Sequence, residues 1–273
     1  MPALNERPSI ASATPTIAAL FGISPPAICQ ASSISSVLQA AARTFEGRRA
    51  EKCLVFAPDA FGDHLRAACP AAFETFICSD TLSIPVRAAV PPKTPVCYAT
   101  IFTGAPPAIH GITEYKRPVL KCETLFDAFT LAGRRVAIAS VASCSIDLIF
   151  RERAIDYFSE VHDPEVTARA VQLLEEDRHD VIVVYEQAYD DALHLAGPLC
   201  EEAFAAARAI AAEFAVLKHT FDRCWSRYDR ALLIAPDHGA HATPTGGSHG
   251  EDIPEDVLLH HFYYLRKGEK GGT

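Results

Sequence analysis

The 273-residue chain has no CxxC pair among its nine cysteines, no apolar run long enough to span a membrane, no basic cluster and no internal repeat. Each absence removes a class of protein. The cysteines at 29, 53, 69, 78, 97, 122, 144, 200 and 224 are odd in number and scattered. A disulfide scaffold is therefore excluded, and they read as reduced, mostly buried thiols of a cytoplasmic protein. Residues 8–42 carry no charge, but Pro15, Pro25 and Pro26 break them well short of the ~18 apolar residues of a membrane helix. No membrane association is expected. Glu6, Arg7 and Pro8 stand where a signal peptide needs a basic start and an unbroken apolar core, so export is not expected either. Lys and Arg number 25 against 34 Asp and Glu, a net charge of −9, which disfavours a nucleic-acid polymer as partner. An acidic excess remains compatible with a small phosphorylated substrate if some carboxylates gather around two divalent cations.

What is present is an ordinary globular balance, 49% hydrophobic and 22% charged, in a length that suits one α/β domain over residues 1–273. Four short apolar runs, residues 53–57, 136–140, 181–185 and 231–235, read as buried parallel strands. Helical patterns fall at 123–132, ending at Gly133, at 164–176, and at the alanine-rich 201–219. Strands alternating with helices predict a three-layer sandwich: a mainly parallel central sheet with helices on both faces. The segment 113–180 is expected to hold only a helix, a strand and a helix, with no large cap, and the tail 267–273 to be frayed.

In such a sheet, ligands bind beyond the carboxyl ends of the strands. Three of the four runs end in similar chemistry: Asp59 after the first, Asp190 and His194 after the third, Asp237-His238 after the fourth. Asp190 and His194 are four apart, the spacing of one helical face, within reach of a single ion. Alone they would pass for a surface acid beside a packed histidine. Asp191 is placed behind Asp190, facing solvent or backing the site. Asp237 and His238 are expected on opposite sides of an extended dipeptide, able to meet one metal and its surroundings or two neighbouring ions. Gly246-Gly247-Ser248-His249-Gly250 brackets another imidazole with glycines that let backbone approach closely. His241 is the substitute ligand to His249. The remaining histidines, 64, 110, 162, 179, 219, 260 and 261, are taken as structural.

Lys93-Thr94-Pro95, followed by an apolar run to Gly104, reads as N-cap Thr94, N1 proline and a short helix with a glycine stop. A threonine cap needs no function. A hydroxyl at a helix N-terminus and facing a metal is nevertheless the arrangement of an activated nucleophile, with helix amides to hold a phosphoryl group.

Taken in order, these pieces resemble the alkaline phosphatase superfamily, and within it a minimal type I phosphodiesterase/nucleotide pyrophosphatase. The matching segments are residues 91–112 (PPKTPVCYATIFTGAPPAIHGI), 189–198 (YDDALHLAGP), 235–239 (APDHG) and 246–250 (GGSHG). The resemblance implies an alkaline phosphatase-like fold and two divalent ions, most commonly zinc with manganese as the alternative. One ion would be held by Asp190, His194 and His249 and the other by Asp59, Asp237 and His238. It further implies a two-step in-line displacement through a phospho-threonine at Thr94, with ions about 4 Å apart stabilising the attacking and leaving oxygens. Lys93 and Cys97 are adjacent candidates for substrate contact. The family carries an asparagine three residues after its nucleophile where this chain has Cys97, a weaker donor, so diester or monoester preference stays open. Phosphomutase or non-catalytic metal-binding roles on the same fold are the alternatives, and a homo-oligomer is admitted.

Overall fold

The computed structural model describes residues 7–269. Its strands are β1 (Lys52–Pro58), β2 (Leu82–Arg87), β3 (Val136–Val141), β4 (Asp156–Glu160), β5 (Val181–Glu186), β6 (Arg230–Ile234), β7 (His241–Thr243), β8 (Gly246–Ser248) and β9 (Leu258–Arg266). Seven of them form one sheet in the order β2-β9-β6-β1-β5-β3-β4, and β7 with β8 makes a separate two-stranded hairpin. From β6 to β4 every neighbouring pair is parallel, while β9 runs antiparallel to both β6 and β2. The helices are α1 (Ala13–Phe21), α2 (Ser35–Thr44), α3 (Asp63–Ala68), α4 (Thr94–Thr103), α5 (Pro107–His110), α6 (Leu125–Leu131), α7 (Ser145–Ile149), α8 (Asp163–Glu176), α9 (Ala188–Ala196), α10 (Glu201–Cys224) and α11 (Pro254–Val257).

The four apolar runs form strands because both sheet faces are covered, so continuous hydrophobicity is tolerated at every position. All residues of β1, β3, β5 and β6 are buried. Alternation along the strands assigns the layers. Phe56 of β1 packs against Phe214 of α10, with ring centroids 5.0 Å apart, while Tyr185 of β5 meets Tyr98 of α4 at 5.6 Å on the other face. Helix α4 is the central element of its layer, with all ten residues buried.

Where expectation and structure differ, a physical cause is visible. Segment 113–180 contains more than a helix, a strand and a helix: α7 and β4 lie between β3 and α8. β4 is an edge strand, half exposed over five residues, and has no continuous apolar run to betray it. β2 contains Pro85, which cannot complete a central ladder, and it too sits at an edge. α10 runs five residues past 219, because Thr220 and Phe221 extend its buried stripe. The tail is not frayed over 267–269: Gly268 N–H donates to Asp229 Oδ1 at 2.8 Å and Glu269 N–H to Ser226 O at 2.9 Å. Residues 270–273 lie outside the described residues. All nine cysteines are free, Cys53, Cys69, Cys97 and Cys144 fully buried and the other five half-buried. Among the described residues no helix is long and apolar enough to cross a membrane.

The single tryptophan, Trp225, follows α10 and is fully buried, its ring 5.6 Å from that of Phe221 and 5.5 Å from the Lys52 ammonium at the start of β1.

Helix α4 ends at Gly104, which sits at φ +70°, where an added Cβ would also press on Cys29 Sγ and Thr14 Cγ2. Gly104→Ala should therefore cost about 2 kcal/mol or more, read as a lower urea midpoint at unchanged m-value. An unchanged midpoint would mean that the turn relaxes freely.

Candidate metal centre

Three strand ends and one helix start build the centre. β1 runs directly into Asp59 and β6 into Pro236-Asp237-His238. The turn after β5 opens α9, which presents Asp190 and His194 one turn apart on one face. The β7–β8 hairpin returns the chain to His249, and α4 begins at Thr94. Thr94 is the first helical residue and Lys93, with extended backbone at φ −125° and ψ 138°, is the N-cap. This is a one-residue correction to the sequence reading: Pro95 takes the second helical position, and its missing N–H again removes an unpaired donor.

The side chains gather into two sets, Asp190–His194–His249 and Asp59–Asp237–His238, each with ligand-capable atoms within 4.8 Å of one another. The second set is wholly buried and the first reaches the surface through His194. The sets adjoin, since the His238 and His249 rings stack at 3.9 Å between centroids. Asp237 and His238 do not diverge to opposite sides as the extended dipeptide implied. His238 Nε2 lies 3.2 Å from Asp237 Oδ2 and 3.5 Å from Asp59 Oδ1.

All three imidazoles use Nδ1 on a backbone carbonyl: His194 on Gly247 at 3.1 Å, His238 on Gly239 at 3.0 Å and His249 on Pro92 at 2.9 Å. A carbonyl only accepts, so Nδ1 carries the proton in each ring and Nε2 presents a lone pair. Those lone pairs face carboxylates, which also only accept when ionised. His194 Nε2 is 3.4 Å from Asp190 Oδ2, and His249 Nε2 is 3.6 Å from Asp190 Oδ1. Asp59 Oδ1, Asp190 Oδ1 and Asp237 Oδ2 are buried with no hydrogen-bond partner among the described residues. Acceptors facing acceptors is the arrangement that a cation completes, and the mixed nitrogen and oxygen donor set fits zinc or manganese.

Burial and neighbouring charge both act on the acids. Burial, then the charges of Asp237 and Asp190, pushes the Asp59 carboxyl well above its ordinary range. Burial likewise lifts Asp237 to about 8. Burial also holds His238 well below, and His249 below, the usual imidazole value, whereas the hydrogen bond that the protonated His194 ring gives to Asp190 raises His194. Thr94 is buried, its Oγ1 3.3 Å from His238 Nε2, so the hydroxyl faces the inner set.

The residues around the sets divide by what they touch. The Lys93 ammonium donates to the His249 carbonyl, and Gly250 next to it, at φ +122°, leaves room that a Cβ would take from the lysine side chain. Cys97 is fully buried with its thiol 3.9 Å from the Ala89 carbonyl, and burial pushes that thiol well above its usual value. Asp191 is exposed and accepts from Gln187 Nε2 at 3.2 Å. His241 joins neither set; its Nδ1 lies 2.8 Å from Asp256 Oδ1. Sequence reasoning missed Tyr185, whose hydroxyl donates to Asp59 Oδ2, the Ala60 N–H that reaches Asp237 Oδ1 at 3.2 Å, and Asp256 itself. Buried Asp256 accepts the Gly250 and Glu251 N–H groups at 2.8 and 2.9 Å and so fixes the loop carrying His249. Only the position of Tyr185 at the end of an apolar run hinted at any of these.

The family model for type I phosphodiesterase / nucleotide pyrophosphatase matches residues 73–269, most of the chain. The chain belongs to that family. No curated protein sequence matches this family member significantly. Among solved structures it is similar to phosphonoacetate hydrolase from Sinorhizobium meliloti 1021 in complex with phosphonoformate, at 20% identity and a TM-score of 0.53, over 72% of this chain and 59% of that one. It is similar also to inactive murine ectonucleotide pyrophosphatase/phosphodiesterase 5, a threonine-to-alanine form in complex with AMP, at 15% identity and a TM-score of 0.57, over 70% and 57% of the two chains. A third is the C-terminal periplasmic domain of EcEptC from Escherichia coli in complex with zinc, at 12% identity and a TM-score of 0.56, over 80% and 74%. This family member thus spans less than two thirds of the length of the first two, and what they share with it is an alkaline phosphatase-like α/β fold.

The raised carboxyls set a pH dependence for the metal-free chain. The folded value of Asp237, about 8, lies above its ordinary 3.8. Its stabilising proton is fully held below the unfolded value, and the contribution is lost as pH rises through about 8. Between about pH 6.5 and 8, above the range in which buried imidazoles oppose this trend, the chelated protein should lose stability with rising pH. Asp237→Asn should flatten that slope. Denaturant midpoints measured with chelator at several pH values test this, and a midpoint that climbs across the window would contradict it.

Proposed function

We propose that this family member is a two-metal-dependent phosphoester hydrolase of the phosphodiesterase/nucleotide pyrophosphatase type, working through a phospho-threonine at Thr94. The observation that carries the reading is the pair of ligand sets with three unpartnered buried carboxylate oxygens and the Thr94 hydroxyl beside the inner set. The inner ion would be held by Asp59, Asp237 and His238 and the outer by Asp190, His194 and His249, zinc being favoured over manganese by three imidazoles among six donors. When bound, two such ions supply Lewis-acid stabilisation to the attacking and leaving oxygens of an in-line displacement.

The chain's own residues do the rest. Thr94 Oγ1 gives up its proton and forms the bond to phosphorus as the ester oxygen leaves and takes up a proton. Water then cleaves the threonyl phosphate, releasing the phosphoryl group with the water oxygen and returning a proton to the hydroxyl. The N-terminus of α4, which begins at Thr94, offers backbone amides to the phosphoryl oxygens. Tyr185 and the Ala60 N–H orient Asp59 and Asp237, and the three carbonyl-anchored imidazoles keep Nε2 aimed inward. The thiol of Cys97, engaged with Ala89, lends no donor, so phosphoryl recognition falls to the amides, Lys93 and the cations. Net charge does not steer an anion here; the local positive field of the bound cations does.

Small phosphorylated ligands are the substrate class, in keeping with the AMP and phosphonoformate held by the relatives. Nine free thiols, none of them exposed, support a reducing, cytoplasmic setting.

Thr94→Ala, loaded with zinc or manganese, should lose at least ~1,000-fold in turnover of an activated aryl phosphate monoester or diester, with metal content unchanged by elemental analysis. Retained turnover would remove Thr94 from the mechanism.

A further inference from the structure

Tyr185 and Glu186 are consecutive at the end of β5 and therefore serve opposite faces of the sheet. Tyr185 turns toward Asp59 and the metal centre. Glu186 turns toward α8 and α10. It is fully buried there; Oε1 accepts from the Thr167 hydroxyl, and Oε2 has no hydrogen-bond partner among the described residues. Asp163, the first residue of α8, and Glu213 of α10 bring their carboxylates to the same point, so that oxygens of all three lie within 4.8 Å of one another. Glu213 Oε2 is likewise buried without a partner. Asp163 accepts from the Gln187 N–H at 3.1 Å and the Ala188 N–H at 2.7 Å, which ties the group to the start of α9.

The groups that act most on Glu186 and Glu213 include no cationic side chain, and His162 is the one cationic group among those that act most on Asp163. Burying two carboxylates with orphaned oxygens and no counter-charge is costly unless a cation or a shared proton intervenes. A cavity of about 210 Å³ borders Asp163 and Glu213, together with His162, Gln187 and Asp191.

We propose that Asp163, Glu186 and Glu213 form a third cation site that takes one hard, oxygen-preferring divalent ion of the calcium type. The donors decide the class: three carboxylates with no imidazole or thiolate suit calcium and offer little to zinc. This set shares no ligand with the other two and lies on the other face of the sheet. An ion here clamps α8 and α10 to the end of β5, the point from which α9 sets out with Asp190 and His194. Its role is to fix that helix rather than to touch substrate. No short motif announces the site, because its members come from three separate elements.

The test uses the whole chain after chelation, first wild type and then Glu213→Gln and Glu213→Lys. Glu213 is only half-buried, so both variants should fold. Equilibrium dialysis against calcium with elemental analysis should find one calcium per wild-type chain, and a calcium concentration about 100 times the dissociation constant should raise the thermal midpoint by several degrees. Glu213→Gln should lose both the calcium and the shift while keeping wild-type zinc uptake. Glu213→Lys supplies the positive charge covalently, so it should melt higher than chelated wild type and ignore calcium. Absence of calcium uptake by wild type, or an equal shift in wild type and Glu213→Gln, would overturn the proposal and leave a proton shared among the three acids. These readouts are binding and stability, so they stand or fall independently of whether Thr94 is the nucleophile.

Discussion

Mutual repulsion among Asp59, Asp190 and Asp237 is the constraint on which the rest of this edge of the molecule depends. Three carboxylates and three imidazole lone pairs converge in a space from which water is largely excluded, and a flexible scaffold would let them spread apart. The scaffold is not flexible there. β1, β5 and β6 are adjacent, fully buried and parallel, so their carboxyl ends arrive side by side at fixed spacing. The acids cannot retreat without tearing the ladder that holds the centre of the fold. On the proposed two-metal reading, a bound cation would offset that electrostatic cost, which would then appear as affinity for the cation.

A second layer of contacts transmits this rigidity to the residues not carried on strands. Asp256 spends both carboxylate oxygens on the chain around the outer set, one on His241 of the hairpin and the other on the Gly250 and Glu251 amides. Its carbonyl accepts the Gly239 N–H at 2.8 Å, so one buried acid joins the loop after β6 to the loop bearing His249. His261 of β9 adds a bond from Nε2 to the Pro236 carbonyl at 3.0 Å, immediately before Asp237. The histidines that sequence reasoning set aside as structural include one that braces a candidate ligand.

The sequence made the centre of the fold readable and left its periphery obscure, for one reason. Buried parallel strands are apolar throughout, so β1, β3, β5 and β6 stand out, and an acid immediately after such a run, as at Asp59 or Asp237, is conspicuous. Edge strands are half-wet and carry residues such as Pro85, so β2 and β4 look like loops. The Asp190–His194 spacing is legible because a helix makes residues four apart neighbours. Tyr185 on Asp59, Asp256 on Gly250 and Glu186 against Glu213 are relations between distant positions, set by which elements pack together, and no local pattern encodes them. Thr94 falls between the two cases: its proline and glycine boundaries mark a helix, while its placement one residue inside the cap is a backbone detail.

Trp225 sits at the opposite end of the sheet from the metal centre, sealed beneath the start of β1 where Lys52 covers its ring. The molecule's only indole is therefore a witness to the integrity of the whole core and deaf to events at the strand ends. A change in its ultraviolet emission on chelation would signal that loss of the proposed cations had loosened the entire sheet, whereas an unaltered emission would confine the disturbance to the edge where the candidate ligands gather.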